Sequence, residues 1–326
     1  MLPPILKDDL ALPVVGAPLF IISHPALVLA QCKAGIVGAF PSLNARPIEQ
    51  LDEWLSEINE ELSSHKAKNP DSKTAPFAVN LIVHGSNDRL MEDIKLVVKH
   101  KVPIVITSLG AVPEVNQAIQ SYGGITLHDI TNQRHAHSAI NKGATGLIAV
   151  AAGAGGHAGR LSPFALIQEL REWFDGPLLL SGSIANGGAV LAAQAMGADM
   201  AYIGSPFIGT HEARAAEEYK QAIADFGAED IVYTNLFTGV HGNYLKQSII
   251  NAGMDPDNLP ESDPSKMDFG SGGGSKAKAW RDIWGAGQGV GSMHDIPSIA
   301  ELMDRMEAEY RAATQRLPAL WSAYCG

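Results

Sequence analysis

Residues 177–207 read PLLLSGSIANGGAVLAAQAMGADMAYIGSPF, and they contain one complete structural unit. An apolar run over 177–182 ends in Ser-Gly-Ser, an Ala-rich helical segment follows over 187–196, and Gly197 stops it as a C′ glycine does. A second apolar run, 200–207, again ends in Gly-Ser before Pro206. Two buried strands joined by a helix make a parallel crossover unit, and a parallel sheet needs helices on its faces.

The same alternation repeats along most of the chain. Strand-like runs rich in β-branched residues lie at 14–20, 36–40, 77–83, 103–108, 124–130, 146–151, 177–182 and 200–207. Amphipathic or Ala-rich segments separate them at 25–33, 47–63, 88–99, 112–121, 132–142, 162–173 and 187–196, with a last one at 211–226. Gly35, Gly123 and Gly143 stop helices in the way Gly197 does. Eight strand and helix pairs over about two hundred residues fit a closed α/β (β/α)8 TIM barrel better than an open doubly wound sheet. The chain therefore divides into a barrel over 1–226 and, over 227–326, an irregular lid region with a C-terminal helix packing on the barrel. Residues 231–291 are too rich in Gly, Pro, Asp and Ser for packed elements, and Phe269-Gly-Ser-Gly-Gly-Gly-Ser275 reads as a linker. A final helix from Ser298 to about Arg316 carries Ile299, Leu302, Met303, Met306 and Tyr310 at helical spacing and should dock through them.

Composition narrows the function classes. A formal net charge of −11 without basic runs argues against nucleic acid or an anionic membrane surface as partner, so a small molecule is expected. Two cysteines, Cys32 and Cys325, build neither a disulfide framework nor a thiolate metal site, which predicts a reducing compartment. The N-terminal MLPPILKDDL lacks an apolar signal core, and no stretch is apolar enough to span a bilayer, so the reading is cytoplasmic. His135 and His137 are two residues apart on a helical segment and point to different faces, against a metal pair.

Barrel active sites lie at the C-terminal ends of the strands. Those ends carry Ala17-Pro18-Leu19, Asn80, Ser108, His128-Asp129, His157, Ser181-Gly182-Ser183 and Gly204-Ser205. The last two loops sit on one rim beside a helix N-terminus, where backbone N–H groups favour a phosphate; ordinary turn chemistry is the alternative. A phosphorylated ligand held there extends across the mouth, and FMN suits the span, with its ring on Ala17-Pro18. Asn80 either hydrogen-bonds that ligand or is a satisfied polar residue of a barrel layer. His128 faces the ligand or the core, and His241 and Tyr244 are candidates to cover the pocket. His157, in VAAGAGGHAGRLSP (150–163), is either a reactive imidazole or a solvated loop histidine before a helix.

These motifs resemble those of the nitronate monooxygenase family, formerly 2-nitropropane dioxygenases, which are barrel flavoproteins with noncovalent FMN. Phe77-Ala-Val-Asn-Leu81 looks like the family's strand-three motif and Gly155-Gly-His-Ala-Gly159 like its histidine motif. The stretch 177–207 is similar to its phosphate signature, and Trp284-Gly-Ala-Gly-Gln-Gly-Val-Gly291 to its C-terminal segment. The resemblance implies FMN binding by Ala17, Pro18, Leu19, Asn80, Gly156, Ser181, Gly182, Ser183, Gly204, Ser205 and Gln288; His128, from its place on the fifth strand, adds a minor contact at most. It implies His157 as catalytic residue and oxidation of a nitronate by O2, in a protein free to form a homodimer. Two positions depart from the family pattern: Gly204-Ser-Pro-Phe207 replaces a common Gly-Thr-Arg-Phe, and Asp129 stands where some members have lysine. Alternatives are an NAD(P)H:quinone reductase or enoyl-thioester reductase of the same barrel class, a non-redox sugar-phosphate lyase or isomerase, and a non-catalytic phosphate-ligand binding protein.

Overall fold

A computed structural model describes residues 2–262 and 282–325. Eight parallel strands form the central sheet: β1 (Val14–Gly16), β2 (Gly38–Pro41), β3 (Phe77–Ile82), β4 (Ile104–Ser108), β5 (Ile125–Ile130), β6 (Gly146–Val150), β8 (Leu178–Ser181) and β9 (Met200–Ile203). Their order is β1-β9-β8-β6-β5-β4-β3-β2. Gly16 N–H donates to the Val37 carbonyl at 2.8 Å, just ahead of β2, and a parallel bridge joins Val15 to Val37, which closes the ladder into a barrel.

Closure gives every strand an inside and an outside. Ile104, Ile106, Leu127, Ile148, Leu179 and Met200 fill the interior, and Leu6, in the turn before β1, packs against them. The outward residues meet the helices. These are α1 (Pro25–Lys33), α2 (Glu49–Lys68), α3 (Leu90–Lys99), α4 (Pro113–Gln120), α5 (Gln133–Asn141), α6 (Pro163–Arg171) and α7 (Gly187–Ala195), then the single turn α8 (Ser205–Ile208) and α9 (Glu217–Asp225).

The eight expected strands and the eight observed barrel strands coincide in order, but several stop short. The run from Val14 leaves the sheet after Gly16, because Pro18 has no N–H to contribute to a ladder. The run from Met200 ends at Ile203, and Ser205 opens α8 with Pro206 in its first turn.

The larger correction concerns residues 231–291, expected to be irregular. They contain β10 (Ile231–Thr234), β11 (Gly242–Leu245) and α10 (Lys246–Asn251). β10 and β11 pair antiparallel, and β11 also pairs with β7 (Gly156–His157), a two-residue strand after β6. Composition concealed this because β11 reads Gly-Asn-Tyr-Leu, without the β-branched signature, and its partner lies far back in the sequence. The Gly-rich stretch 269–275 lies outside the described residues. No helix among the described residues is long and apolar enough to cross a membrane.

The C-terminal helix (Ile299–Cys325) docks as expected: Ile299, Leu302, Met303 and Met306 are buried. It reaches α7 through Gly187, where an added Cβ would stand 2.0 Å from the Met306 carbonyl oxygen and 2.2 Å from the Tyr310 nitrogen. Only the missing side chain permits that approach. Gly187→Ala should therefore push the helix off the barrel and cost on the order of 1–3 kcal/mol. A denaturant titration reads this directly, and an unchanged midpoint would contradict the contact.

Candidate active site

The C-terminal ends of the barrel strands open into a cavity of about 1010 Å³. That is at the upper end of the ~300–1,000 Å³ usual for small-molecule sites. Ala17, Pro18, Leu19, Asn80, His128, Gly156, His157, Ser181, Gly204 and Ser205 all line it. Gly182, Ser183 and Gln288 are not among its lining residues. Ser183 and Gln288 both donate their backbone N–H to the Gly153 carbonyl, at 3.3 and 2.9 Å, and so brace the loop that leads to His157.

The phosphate-type rim differs from the expectation in one respect. The N-terminus of α7 is already used: Gly187 N–H donates to the Glu309 carboxylate at 2.8 Å, and Asn186 caps Ala189 N–H at 2.9 Å. A carboxylate from the C-terminal helix thus sits where a phosphate was expected. What remains on the cavity wall is Ser181 at the end of β8 with Gly204 and Ser205 at the start of α8.

Strand alternation separates two neighbours on β5. Ile125 and Leu127 belong to the barrel interior, so Asp129 faces inward, whereas Ile130 packs outside with Ala136 and Ala139 of α5 and His128 shares that outer side. His128 bonds Thr107 at 2.6 Å, and burial together with His135 and Lys142 pushes it down to about 4. It borders the cavity from the helix side of β5 and stays neutral near pH 7. Asp129 takes the inward position. Asn80 Nδ2 donates to Ser108 Oγ at 2.7 Å, and Ser108 Oγ donates to Asp129 Oδ2 at 2.5 Å. Asn80 Nδ2 also donates to the Ile106 carbonyl, so the side-chain oxygen is the polar atom Asn80 has left to offer a ligand. Burial pushes the Asp129 carboxyl up to about 6 against the hydrogen bond from Ser108. Tyr202, on the same inward course of β9, is pushed well above its ordinary range by burial and by Asp129. Sequence reading passed over Tyr202, although counting by twos back from Gly204 reaches it.

His157 is part of a sheet instead of a solvated loop. It pairs with Gly242 in β11, and its neighbour Ala158 donates N–H to the His241 carbonyl at 3.1 Å. Its Nε2 lies 2.9 Å from Thr238 Oγ1, and burial pushes the imidazole down to about 4. A cationic role near neutral pH is thereby removed; donor and base remain. Phe237, Thr238 and Val240 of the same segment line the cavity. His241 instead stacks on Tyr233 with ring centroids 5.0 Å apart, and Tyr244 is buried.

The glycines before His157 have two jobs. An added Cβ on Gly155 would stand 2.7 Å from Gly287 N, so the histidine loop and the 284–288 segment pack backbone against backbone. At Gly156, with φ +64°, an added Cβ would meet nothing within 4 Å, and it would intrude on space beside His157. The wall there is left bare, as close approach of a flat ligand requires.

The family model for nitronate monooxygenase matches residues 6–309. A nitronate monooxygenase of Paraburkholderia phytofirmans is 26% identical, with 94% of each chain covered. Among solved structures, FabK from Thermotoga maritima superposes with a TM-score of 0.78 at 21% identity, covering 97% of each chain. The nitroalkane oxidase of Streptomyces ansochromogenes superposes at 0.78 and 23% identity, covering 95% of this chain and 99% of that one. At these identities the two structures establish the barrel fold.

The Asp129 carboxyl has a stability consequence. Its ordinary value is 3.8 and its folded value about 6, so between these pH values the folded protein keeps a proton that the unfolded chain has lost. The contribution of this group to stability is greatest below pH 4, falls as pH rises to 6 and is level above. Asp129→Asn, which keeps the acceptor for Ser108, should stabilise the protein by at most about 3 kcal/mol above pH 6 and by little at pH 4. Thermal unfolding at both pH values tests this, and a gain independent of pH would refute it.

Proposed function

The chain belongs to the nitronate monooxygenase family and is a flavin-type oxidoreductase, and from that premise we propose that it holds FMN and oxidises alkyl nitronates, such as propionate 3-nitronate, with O2 to a carbonyl compound and nitrite. One observation carries the reading: His157 shares a single cavity with the strand-end residues suited to a phosphorylated flat cofactor.

The donor set fits the group. Ser181, Gly204 and Ser205 would hold the phosphate from the ends of β8 and β9. Ser205 Oγ already accepts Gly287 N–H at 2.8 Å, which orients the hydroxyl. Gly182 and Ser183 would contribute backbone only, and Gln288 would act from behind through Gly153. Ala17 and Pro18 offer small side chains for the ring with Leu19 beside them, Asn80 an acceptor, and Gly156 a stretch of wall without a side chain. Bound FMN supplies the electron acceptor and the reaction with O2.

The remaining work falls to the protein. His157, neutral at physiological pH and held by Thr238, donates a hydrogen bond to a nitronate oxygen or takes the α-proton of a neutral nitroalkane. Phe237 and Val240 contribute apolar side chains to the same cavity wall.

Purified protein should be yellow, with one FMN per chain. Anaerobic mixing with a nitronate should bleach it, and NADH or NADPH should not; reduction by the nicotinamide alone would replace this reading with the quinone or enoyl-thioester reductase. His157→Ala should retain FMN and lose about 10²–10⁴-fold in kcat. Because the imidazole sits well below its usual range, kcat should fall on the acid side toward pH 4 and not near 6.5; an acid limb at 6.5 would show that His157 is not the group titrating.

A further inference from the structure

The chemistry above leaves one buried group of the barrel mouth unused. Asp129 stands in the inward top layer, its Oδ2 accepting from Ser108 Oγ of β4, which in turn accepts from Asn80 of β3. Its Oδ1 is buried and has no hydrogen-bond partner among the described residues. Ile148 and Val150 of β6 flank it inside the barrel and are apolar. Tyr202 of β9 contributes a phenol that burial keeps protonated. The other titratable or charged side chains on the cavity wall are Arg46, His128, His135, Lys142, His157, Arg214 and Tyr219, whose phenol burial also keeps protonated, and among the described residues none forms an ion pair with Asp129. The carboxyl therefore has hydrogen-bond support at one oxygen and no counter-charge.

An eight-stranded barrel is filled by its own side chains, so a ligand in the mouth rests on the top layer and cannot sink below it. An anion resting there shares low-dielectric surroundings with Asp129, where like charges repel far more strongly than in water. We propose that Asp129 couples binding of an anionic substrate in the barrel mouth to the uptake of one proton from solvent, so that the anion enters only over the neutral carboxyl. The proposal rests on the reading above only in taking the substrate to be an anion, and no covalent bond changes in the step. Burial favours it: the carboxyl already holds its proton up to about pH 6 without a ligand, whereas His157 and His128 titrate near 4.

Nitrate, planar and redox-inert under these conditions, is the probe. Calorimetric titration of the holoenzyme with sodium nitrate in two buffers of different ionisation enthalpy measures affinity and proton uptake together. Nitrate should bind at about pH 5.5, weaken about tenfold per pH unit above pH 6 and take up close to one proton at pH 7.5. In Asp129→Asn the affinity should be the same from pH 5.5 to 7.5 and the proton uptake lost. A flat affinity in the unaltered protein, an absence of nitrate binding at pH 5.5, or undiminished proton uptake in Asp129→Asn would each overturn the proposal, the last assigning the proton to His157. Nitrate binding needs no turnover, so failure to oxidise nitronates would remove the substrate reading and leave this result standing.

Discussion

Closure of the parallel ladder at Val15 and Val37 is the constraint on which the site depends. It removes both sheet edges and assigns each strand residue to the interior or to the helices. Everything distinctive about the mouth follows from that assignment. Asn80, Ser108 and Asp129 become consecutive members of one inward layer, joined by hydrogen bonds across three adjacent strands. His128, one residue from Asp129, is carried to the opposite side and bonds Thr107 under α5.

A second constraint comes from chain segments distant in sequence. β11 turns the histidine loop into a sheet, Thr238 meets the imidazole, and Gly287 packs on Gly155 with no side chain between them. The C-terminal helix contributes at longer range by occupying the N-terminus of α7 with Glu309. These contacts hold His157 and Asp129 in a partly dry mouth, and burial then disfavours charge on both: the imidazole is pushed down and the carboxyl up. The result is a site with two titratable groups that are both neutral at mildly acidic pH, for opposite reasons.

Much of this was legible in residue patterns. Strand and helix alternation, glycine stops and the period of Ile299, Leu302, Met303 and Met306 placed the barrel elements and the docking helix. Strand ends were overrun where proline or a tight turn interrupts hydrogen bonding, as at Pro18 and Pro206, since an apolar pattern does not register a missing N–H. The β11–β7 pairing stayed hidden because it is non-local and its strands carry glycine, asparagine and histidine, while β10, which reads Ile-Val-Tyr-Thr, was passed over inside a stretch rich in Gly, Pro and Asp. Asn80, Ser108 and Asp129 were recognised as strand ends, but without a register neither of the two hydrogen bonds that join them was visible.

The sequence by itself determined which elements form, in what order, and therefore that the reactive residues gather at one end of a barrel. Local hydrophobic period and turn chemistry suffice for that, since each acts over a few residues. Only the tertiary structure decided which polar groups face one another, which helix N-terminus is left for a ligand, and which side chains lose their charge. Those outcomes depend on register, burial and contacts between segments more than a hundred residues apart, as between Gly187 and Glu309, and no local pattern encodes them.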